Sequence, residues 1–455
     1  MNKLNASFRD PAGFIFRDEN GTILRQVNQD GKSDYDTLMD SGLYEVLSNK
    51  GFLISHEEVE NKNSEAYKTI KPDLLPFISY PYEWTFSQLK DAALLTLYIQ
   101  KAAIAKDVCL KDASAYNVQF VNGKPVFIDT LSFEKYVEGE PWVAYKQFCQ
   151  HFLAPLALAA YKDVRCLQLL KNYIDGIPLD LASSLLPRKS KLKLSLTTHI
   201  HWHAKSQKKH ASDTEVKAKA SKGKVSRLAM KGLIDNLISA VKGLKWKPDN
   251  TEWGEYYTFT NYSDTNFDRK KELVSSYIDT SSAKSLWDLG ANDGTFSSIG
   301  ASKGIHTVAF DIDPIAVEKN YRRVRKEGIP MLPLQQDLTN PTPAIGWAHT
   351  ERDSLQMRGK ADTVMALALI HHIAISNNVP LERIAEYLSK LCNHLIMEFV
   401  PKEDSQVKIL LATREDIFPQ YNLDGFEQAF SQYFDVVEKD QVGDSHRTLY
   451  LLKTK

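Results

Sequence analysis

Two junctions between strand and turn in the C-terminal half constrain the fold of this chain more than any other feature. The segment SLWDLGANDG passes through Asp288, turns at Gly290 and reaches Gly294 as a helix begins. The segment IHTVAFDIDP then places Asp311 at the end of a second apolar strand. Glycine lets the backbone turn tightly and approach a ligand, and an acid closing the next strand can bind ribose hydroxyls. The two junctions therefore predict a nucleotide-type site at the carboxyl end of a parallel sheet.

The first junction differs from the fingerprint of dinucleotide-binding proteins. That fingerprint needs three glycines spaced G-x-G-x-x-G, whereas this chain has G-x-x-x-G from Gly290 to Gly294. An acid two residues before the first glycine, Asp288, would repel a pyrophosphate but suits a ligand that carries positive charge. The pattern D-x-G-x-x-x-G, followed by an acid at the next strand end, resembles the class I S-adenosylmethionine (SAM)-dependent methyltransferases.

This resemblance implies an α/β fold with a Rossmann-like seven-stranded sheet, an enzyme, and SAM as its cofactor. Asp288 and Gly290 match the first motif of the family, and Asp311 matches its ribose-binding acid. Asp337 matches the acid that lies near the adenine amino group. The predicted cofactor-binding residues are Asp288, Gly290, Asn292, Gly294, Asp311, Ile312, Asp337 and Leu338.

Later segments fit the same sheet. The apolar run 361–369 is typical of a parallel strand buried on both faces, and 381–391 has helical spacing. Segment 394–400 reads as the next strand. Segments 434–437 and 448–452 indicate a closing antiparallel pair, an ending that also resembles the methyltransferase family.

Candidate catalytic groups follow the predicted fourth and fifth strands. His371 and His372 could each serve as a general base near neutral pH, and Glu398 is a second kind of candidate base. Alternatively, one histidine orders the loop and Glu398 is a buried carboxylate paired with Lys or Arg. The long loop 340–358 is expected to help form the acceptor pocket. The chain lacks the Asn/Asp-Pro-Pro-Tyr/Phe tetrapeptide of amino-group methylation, which disfavours a nucleic-acid base as acceptor.

The N-terminal part carries a weaker resemblance. A hairpin is predicted in 8–27 and a long helix in 86–104. Asp112, Asn117 five residues later, and Asp129 closing the next strand resemble the kinase core, most closely its aminoglycoside-phosphotransferase-like branch. The resemblance makes Asp112 the base and the other two magnesium ligands. The phosphate-covering glycine loop and its lysine strand are missing, which predicts a degenerate domain that binds a substrate or glycan carrier.

Charge divides the chain into three parts. We predict a kinase-like domain over 1–186, a basic connector over 187–247 and a methyltransferase domain over 248–455. The connector holds sixteen Lys or Arg against three acids, in a chain whose formal net charge is zero. Within it, the Lys-, Ala- and Ser-rich segment 205–224 predicts disorder. Segment 228–244 has the spacing of a basic amphipathic helix, for a membrane surface, a polyanion or the protein's own core.

Three alternating histidines in the connector, His199, His201 and His203, would share one face of a strand. No acid or cysteine is near them in sequence, so no metal site is predicted. The four cysteines form no C-x-x-C pair, and the apolar runs are short. With no apolar core near the N-terminus, these observations predict a cytoplasmic protein without a transmembrane segment.

The sequence therefore predicts a SAM-dependent methyltransferase. The expected acceptor is an oxygen on a glycan, a lipid-linked glycan or a small molecule. Three alternatives stay open: an RNA methyltransferase that uses the basic connector, a non-enzymatic SAM-binding scaffold, and a bifunctional kinase–methyltransferase.

Overall fold

The computed structural model describes five stretches of the chain: 2–61, 63–205, 225–247, 264–412 and 414–455. The predicted disordered segment 205–224 lies outside them except for its first residue. The chain divides into two compact units. The first comprises Met1–Lys247 and Gly346–Arg352, and the second comprises Pro248–Ile345 and Asp353–Lys455.

The first unit begins with an antiparallel sheet in the order β1-β2-β3-β5-β4. Two smaller antiparallel pairs follow, β6 with β9 and β7 with β8. The predicted hairpin is formed by β2 and β3. The strands are β1 (Asn2–Lys3), β2 (Gly13–Arg17), β3 (Ile23–Val27), β4 (His56–Val59), β5 (Lys68–Pro72), β6 (Val108–Leu110), β7 (Val118–Val121), β8 (Lys124–Phe127) and β9 (Phe133–Lys135).

The helices of the first unit are centred on a buried one, α3, which has the bounds that the sequence predicts. Its N-terminus is closed by a capping box between Thr85 and Gln88, which satisfies amide donors that the first turn leaves open. The helices are α1 (Lys32–Asp40), α2 (Leu43–Asn49), α3 (Phe86–Ile104), α4 (Tyr145–Phe148), α5 (Ala154–Tyr161), α6 (Leu169–Asn172), α7 (Leu179–Leu185), α8 (Leu194–Leu196) and α9 (Arg227–Gly243).

The amphipathic helix of the connector packs on its own protein. The apolar face of α9, including Ile234 and Leu237, is buried, and the helix contacts α3. Lys101 Nζ and Asp235 Oδ1 lie 2.6 Å apart across this contact. Among the described residues no helix is long and apolar enough to cross a membrane. The basic side chains of α9 are thus the solvated face of a helix that belongs to the unit's core.

The connector histidines lie on a helix, so the expectation of a shared strand face is wrong. A π-helical turn spans Thr197–Trp202. His199 bonds Tyr145 Oη at 2.7 Å and Asn236 Oδ1 at 2.8 Å, while His201 bonds two serine hydroxyls. Both ring nitrogens of His199 and of His201 are therefore hydrogen-bonded to uncharged side chains of the same unit.

The second unit contains the seven-stranded sheet that the sequence predicts. Its order is β12-β11-β10-β13-β14-β16-β15, with the first five strands parallel and β16 antiparallel to both neighbours. The strands are β10 (Ser285–Leu289), β11 (His306–Asp311), β12 (Met331–Gln335), β13 (Ala361–Ala366), β14 (Cys392–Phe399), β15 (Phe434–Gln441) and β16 (Thr448–Thr454).

The strand order places a ligand site at the centre of this sheet. The order reverses between β10 and β13, and doubly wound sheets bind ligands at the carboxyl ends of the strands at such a switch point. A buried core under α10 includes Val274, Tyr277, Leu286 and Ile396. The helices are α10 (Asp264–Thr280), α11 (Ser297–Ser302), α12 (Pro314–Glu327), α13 (Leu381–Ser389), α14 (Ser405–Leu411) and α15 (Leu423–Phe430).

Candidate active site

The turn after β10 has the backbone conformation that its glycines permit. Gly290 has φ +81° and Gly294 has φ +78°, in the left-handed region that side chains disfavour. A Cβ at Gly294 would lie 2.4 Å from Asn320 Nδ2, so this position has no room for one. Asn292, between them, also has a positive φ of 49°. The segment predicted as a nucleotide-type turn is therefore a tight one.

Asp311, at the end of β11, is hydrogen-bonded to the turn that follows β10. Its Oδ2 accepts a hydrogen bond from the backbone N–H of Asn292 at 2.7 Å, and its Oδ1 accepts one from that of Asp313 at 2.8 Å. Burial raises the pKa of Asp311 to about 6, although these amide donors act in the opposite direction. The carboxylate is thus held in a fixed orientation beside the turn that carries Asn292.

Asp288 is a buried carboxylate with a hydroxyl partner. Its side chain accepts a hydrogen bond from Ser297 Oγ at 2.6 Å. Burial raises the pKa of Asp288 to about 7, and the nearby Asp311 acts in the same direction. A cationic ligand group would stabilise the ionised form, because an opposite charge offsets the cost of burying a carboxylate.

These carboxylates line a cavity of about 390 Å³. Among the eight predicted cofactor residues, Gly294 does not line it; its role is in the turn. The other seven predicted residues line it, namely Asp288, Gly290, Asn292, Asp311, Ile312, Asp337 and Leu338. The others are Phe267, Lys270, Ala291, Phe296, Gln336, Thr339, Leu367, Ala368, Leu369, His372, Ile373, Ser376, Asn377 and Leu410.

The two candidate histidines occupy different places. His372 lines the cavity, whereas His371 is fully buried and does not. Neither ring nitrogen of His371 has a hydrogen-bond partner among the described residues. Burial, and then Arg447, lower the pKa of His372 to about 4, so its imidazole is neutral at pH 7. Of the pair, His372 is the one placed to meet a ligand.

Glu398 is paired with cations inside the unit. Its Oε2 lies 2.7 Å from Lys270 Nζ, and its Oε1 lies 3.6 Å from Arg447. It is fully buried and is not among the residues lining the cavity. This is the buried, paired carboxylate that the sequence left as the alternative to a base.

Sequence patterns gave no sign of Lys270 or of the two phenylalanines beside it. Lys270 and Phe267 lie on α10, ahead of the first motif, and Phe296 follows the motif turn. The rings of Phe267 and Phe296 meet edge to face with centroids 5.5 Å apart, and Lys270 Nζ lies 4.7 Å from the Phe296 centroid. In the sequence, a lysine in a charged helix such as α10 is expected to be exposed to solvent. Lys270 is buried because α10 packs on the sheet.

In the first unit, the three residues of the kinase resemblance come together. A side-chain hydrogen bond joins Asn117 to Asp112. Asn117 Nδ2 also donates to Ser132 Oγ at 3.2 Å, and Ser132 Oγ donates to Asp129 Oδ2 at 2.7 Å. The predicted convergence is thus observed, although the kinase-like fold itself stays a prediction.

The guanidinium of Arg25 neutralises Asp129, one of these three residues. Arg25 on β3 lies 2.6 Å from Asp129 Oδ1 and 2.9 Å from Asp10 Oδ2. No group of three or more metal-ligating side chains occurs in the part of the chain that the structure describes. The residues therefore do not fit the magnesium site that the kinase resemblance implies, because Asp129 is neutralised by a guanidinium.

The loop expected to help form the acceptor pocket contributes none of the described residues that line the cavity. Part of it, Gly346–Arg352, belongs to the first unit. There Glu351 lies 2.7 Å from the guanidinium of Arg9, and the guanidinium of Arg352 lies 4.4 Å from the Tyr116 ring centroid. The expected role of this loop in the acceptor pocket stays a prediction, and Glu351 and Arg352 make these contacts within the first unit.

Comparison with known proteins gives one relative across the whole length. Nodulation protein NoeA from Rhizobium meliloti (strain 1021) is 34% identical over 456 residues, which cover 98% of this chain and 95% of that protein. The chain belongs to the NoeA family. No protein-family model matches it.

Solved structures give partial matches. Magnesium protoporphyrin IX methyltransferase from Synechocystis PCC 6803 with bound SAH is 16% identical and covers 45% of this chain and 93% of that one, with a TM-score of 0.32. The N-methyltransferase NodS from Bradyrhizobium japonicum WM9 is 11% identical, covering 42% and 98%, with a TM-score of 0.31. For this member of the NoeA family, the class I methyltransferase fold is assigned from the sheet and its motif turns.

Proposed function

We propose that this protein is a SAM-dependent methyltransferase that methylates a hydroxyl oxygen of a glycan, a lipid-linked glycan or a small molecule. One observation carries the proposal. Two buried carboxylates, Asp288 and Asp311, border one cavity at the switch point of a doubly wound sheet. One suits a cationic group and the other, held by backbone amides, suits a pair of hydroxyls.

Each lining carboxylate has a separate role in this proposal. Asp288 accepts from the ammonium of the cofactor's amino-acid end, Asp311 accepts from the ribose hydroxyls, and Asp337 lies toward the adenine. Asp337 Oδ1 accepts from the backbone N–H and the hydroxyl of Thr339, at 2.8 and 2.7 Å, which fixes its orientation. When bound, SAM supplies a methyl group on a sulfonium, which a nucleophile attacks directly.

His372 is the group we assign to the acceptor. Its imidazole is neutral at pH 7 and can accept a hydrogen bond or a proton from an acceptor hydroxyl. Beside it the cavity is lined by Ile373, Ser376, Asn377 and Leu410, none of which carries a charge. A neutral wall favours an uncharged acceptor group over a phosphate or carboxylate, since a buried charge needs a partner.

The family does not distinguish among these acceptors. The relative NoeA is a nodulation protein by name, which does not specify an acceptor. An RNA acceptor is less well supported, because the basic helix α9 uses one face to pack against α3. An enzyme should need His372 for methyl transfer, whereas a SAM-binding scaffold would bind SAM without transferring the methyl group. Measuring transfer therefore distinguishes the two.

Calorimetric titration with SAM and transfer of a labelled methyl group to cell extract fractions test the proposal. The protein should bind SAM, and Asp288→Ala and Gly290→Val should each weaken binding at least tenfold, or more than about 1.4 kcal/mol. His372→Ala should bind SAM normally and lose transfer. The exposed Asp435, on β15, provides the control Asp435→Asn. Unchanged affinity in both turn variants would reject the assignment, and retained transfer in His372→Ala would reject the base.

A further inference from the structure

Charge in the cavity is unbalanced in a way that concerns its ligand. Three carboxylates, Asp288, Asp311 and Asp337, line it. Lys270 is the one Lys or Arg among the described lining residues. A ligand that brings its own carboxylate into such a cavity would be repelled by three acids unless a cation meets it. Lys270 is the protein group that can supply that cation.

The position of Lys270 suits this role. Its side chain is 3% exposed, and its ammonium lies 2.7 Å from Glu398 Oε2. It also interacts electrostatically with Asp288, which favours the ionised form of that carboxylate. The cavity thus presents a buried carboxylate, Asp288, and a buried ammonium, Lys270, near each other. An α-amino acid group carries an ammonium and a carboxylate on one carbon, which is the complementary arrangement.

We infer that Lys270 binds the carboxylate of the ligand's amino-acid end, opposite the ammonium bound by Asp288. This inference rests on the proposed function, since SAM carries such an amino-acid end. Glu398 is then a positioning residue: its ion pair holds the ammonium at the cavity. Burial lowers the pKa of Lys270, and the attraction of Glu398 opposes this shift.

The alternative is that Lys270 only neutralises Glu398. Arg447 separates the two possibilities, because it also approaches Glu398, at 3.6 Å, is 4% exposed, and does not line the cavity. A residue that acts only through Glu398 should affect every cofactor analogue equally. A residue that binds the ligand carboxylate should affect only analogues that have one.

The test compares SAM with decarboxylated SAM, which keeps the sulfonium and the amine but lacks the carboxylate. The wild-type protein should prefer SAM by about tenfold or more, the scale of a hydrogen bond between charged groups. Lys270→Met should reduce that ratio to near one by weakening SAM binding alone, Lys270→Arg should keep most of it, and Arg447→Met should leave it unchanged. Calorimetry or ligand-dependent thermal shift gives the two affinities.

If Lys270→Met alone is unstable, the double variant Lys270→Met/Glu398→Gln also removes the buried carboxylate that Lys270 neutralised, and it should show the same lost preference. Equal weakening of both ligands, or a retained preference for SAM, would overturn the inference. If the wild-type protein binds neither ligand, the proposed function fails instead, so the two failures are distinguishable.

Discussion

Each of the two units gathers three carboxylates, and the two sets are used differently. In the second unit, Asp288, Asp311 and Asp337 border a cavity of about 390 Å³. In the first unit, Asp10 and Asp129 pair with Arg25, and Asp112 accepts from Ser114 N at 2.9 Å and Gln147 Nε2 at 2.8 Å. One set can meet a ligand, whereas the other is satisfied largely by the protein.

A pattern of carboxylates in the sequence is therefore not sufficient to make a binding site. A buried carboxylate is costly without a counter-charge or donors, so the fold must supply them or leave room for a ligand that does. Arg25 supplies them in the first unit. In the second unit, Asp288 and Asp311 line a cavity, where a bound ligand could still stabilise their ionised forms.

The largest effect should follow removal of the built-in cation of the first unit. Arg25→Met leaves Asp10 and Asp129 close together without their shared counter-ion. We expect a loss of about 3 kcal/mol in the free energy of unfolding, near the lower end for a broken buried pair. Urea-induced unfolding measures it. The exposed Arg17 on neighbouring β2 provides the control Arg17→Met, which should change stability little.

A restoring change sharpens this prediction. Asp129→Asn in the Arg25→Met background removes one of the two uncompensated charges and should recover part of the lost stability. If Arg25→Met were as stable as the wild-type protein, Arg25 would not be needed to neutralise the carboxylates of the first unit. The proposed difference between the two carboxylate sets would then be lost.

The second effect concerns the ribose-binding acid. Asp311→Ala should weaken SAM binding by roughly 1.5–3 kcal/mol, because the ribose hydroxyls lose a charged acceptor. Calorimetric titration measures this loss, with Asp435→Asn again as the control. A cofactor-bound structure in which Asp311 is remote from the ribose would place the ligand elsewhere.

A smaller, graded effect is expected from pH. Asp288, with a pKa of about 7, and Asp311, with a pKa of about 6, must lose their protons to bind an ammonium and hydroxyls. Since protons compete with the ligand, affinity for SAM should fall as the pH drops through this range. Between about pH 7.5 and pH 6 we expect roughly a tenfold loss. Affinity independent of pH would mean that these carboxylates do not titrate in the free protein.

The smallest effect is expected from nucleotide added to the first unit. Because Arg25 neutralises Asp129, binding of ATP in the presence of magnesium should be weaker than about 1 mM. Asp129→Asn should leave methyl transfer intact. Titration of the full chain with ATP, with and without Mg²⁺, measures the first point. Tight, magnesium-dependent binding would reverse the comparison and favour a bifunctional protein.

Local sequence patterns were sufficient for the elements that carry the motifs. Helix α3 coincides with the predicted range 86–104, since its first turn carries its own capping signal. Strand β13 lies in an apolar run that is typical of a parallel strand buried on both faces, β14 lies in the next apolar run, and the turn at Gly290 favours glycine because its φ is positive. These features depend on neighbours in the chain, which is why spacing revealed them.

What the sequence determined by itself was the central sheet, its motif turn and the carboxylates that border the cavity. Tertiary packing was needed to bring together the charged pairs, which are Lys270 with Glu398, Arg25 with Asp129, and Arg9 with Glu351. It also decided that His372 lines the cavity while His371 is buried. The partners in these pairs are at least a hundred residues apart, and an isolated charge in a sequence does not indicate whether the fold will bury it or which group will neutralise it.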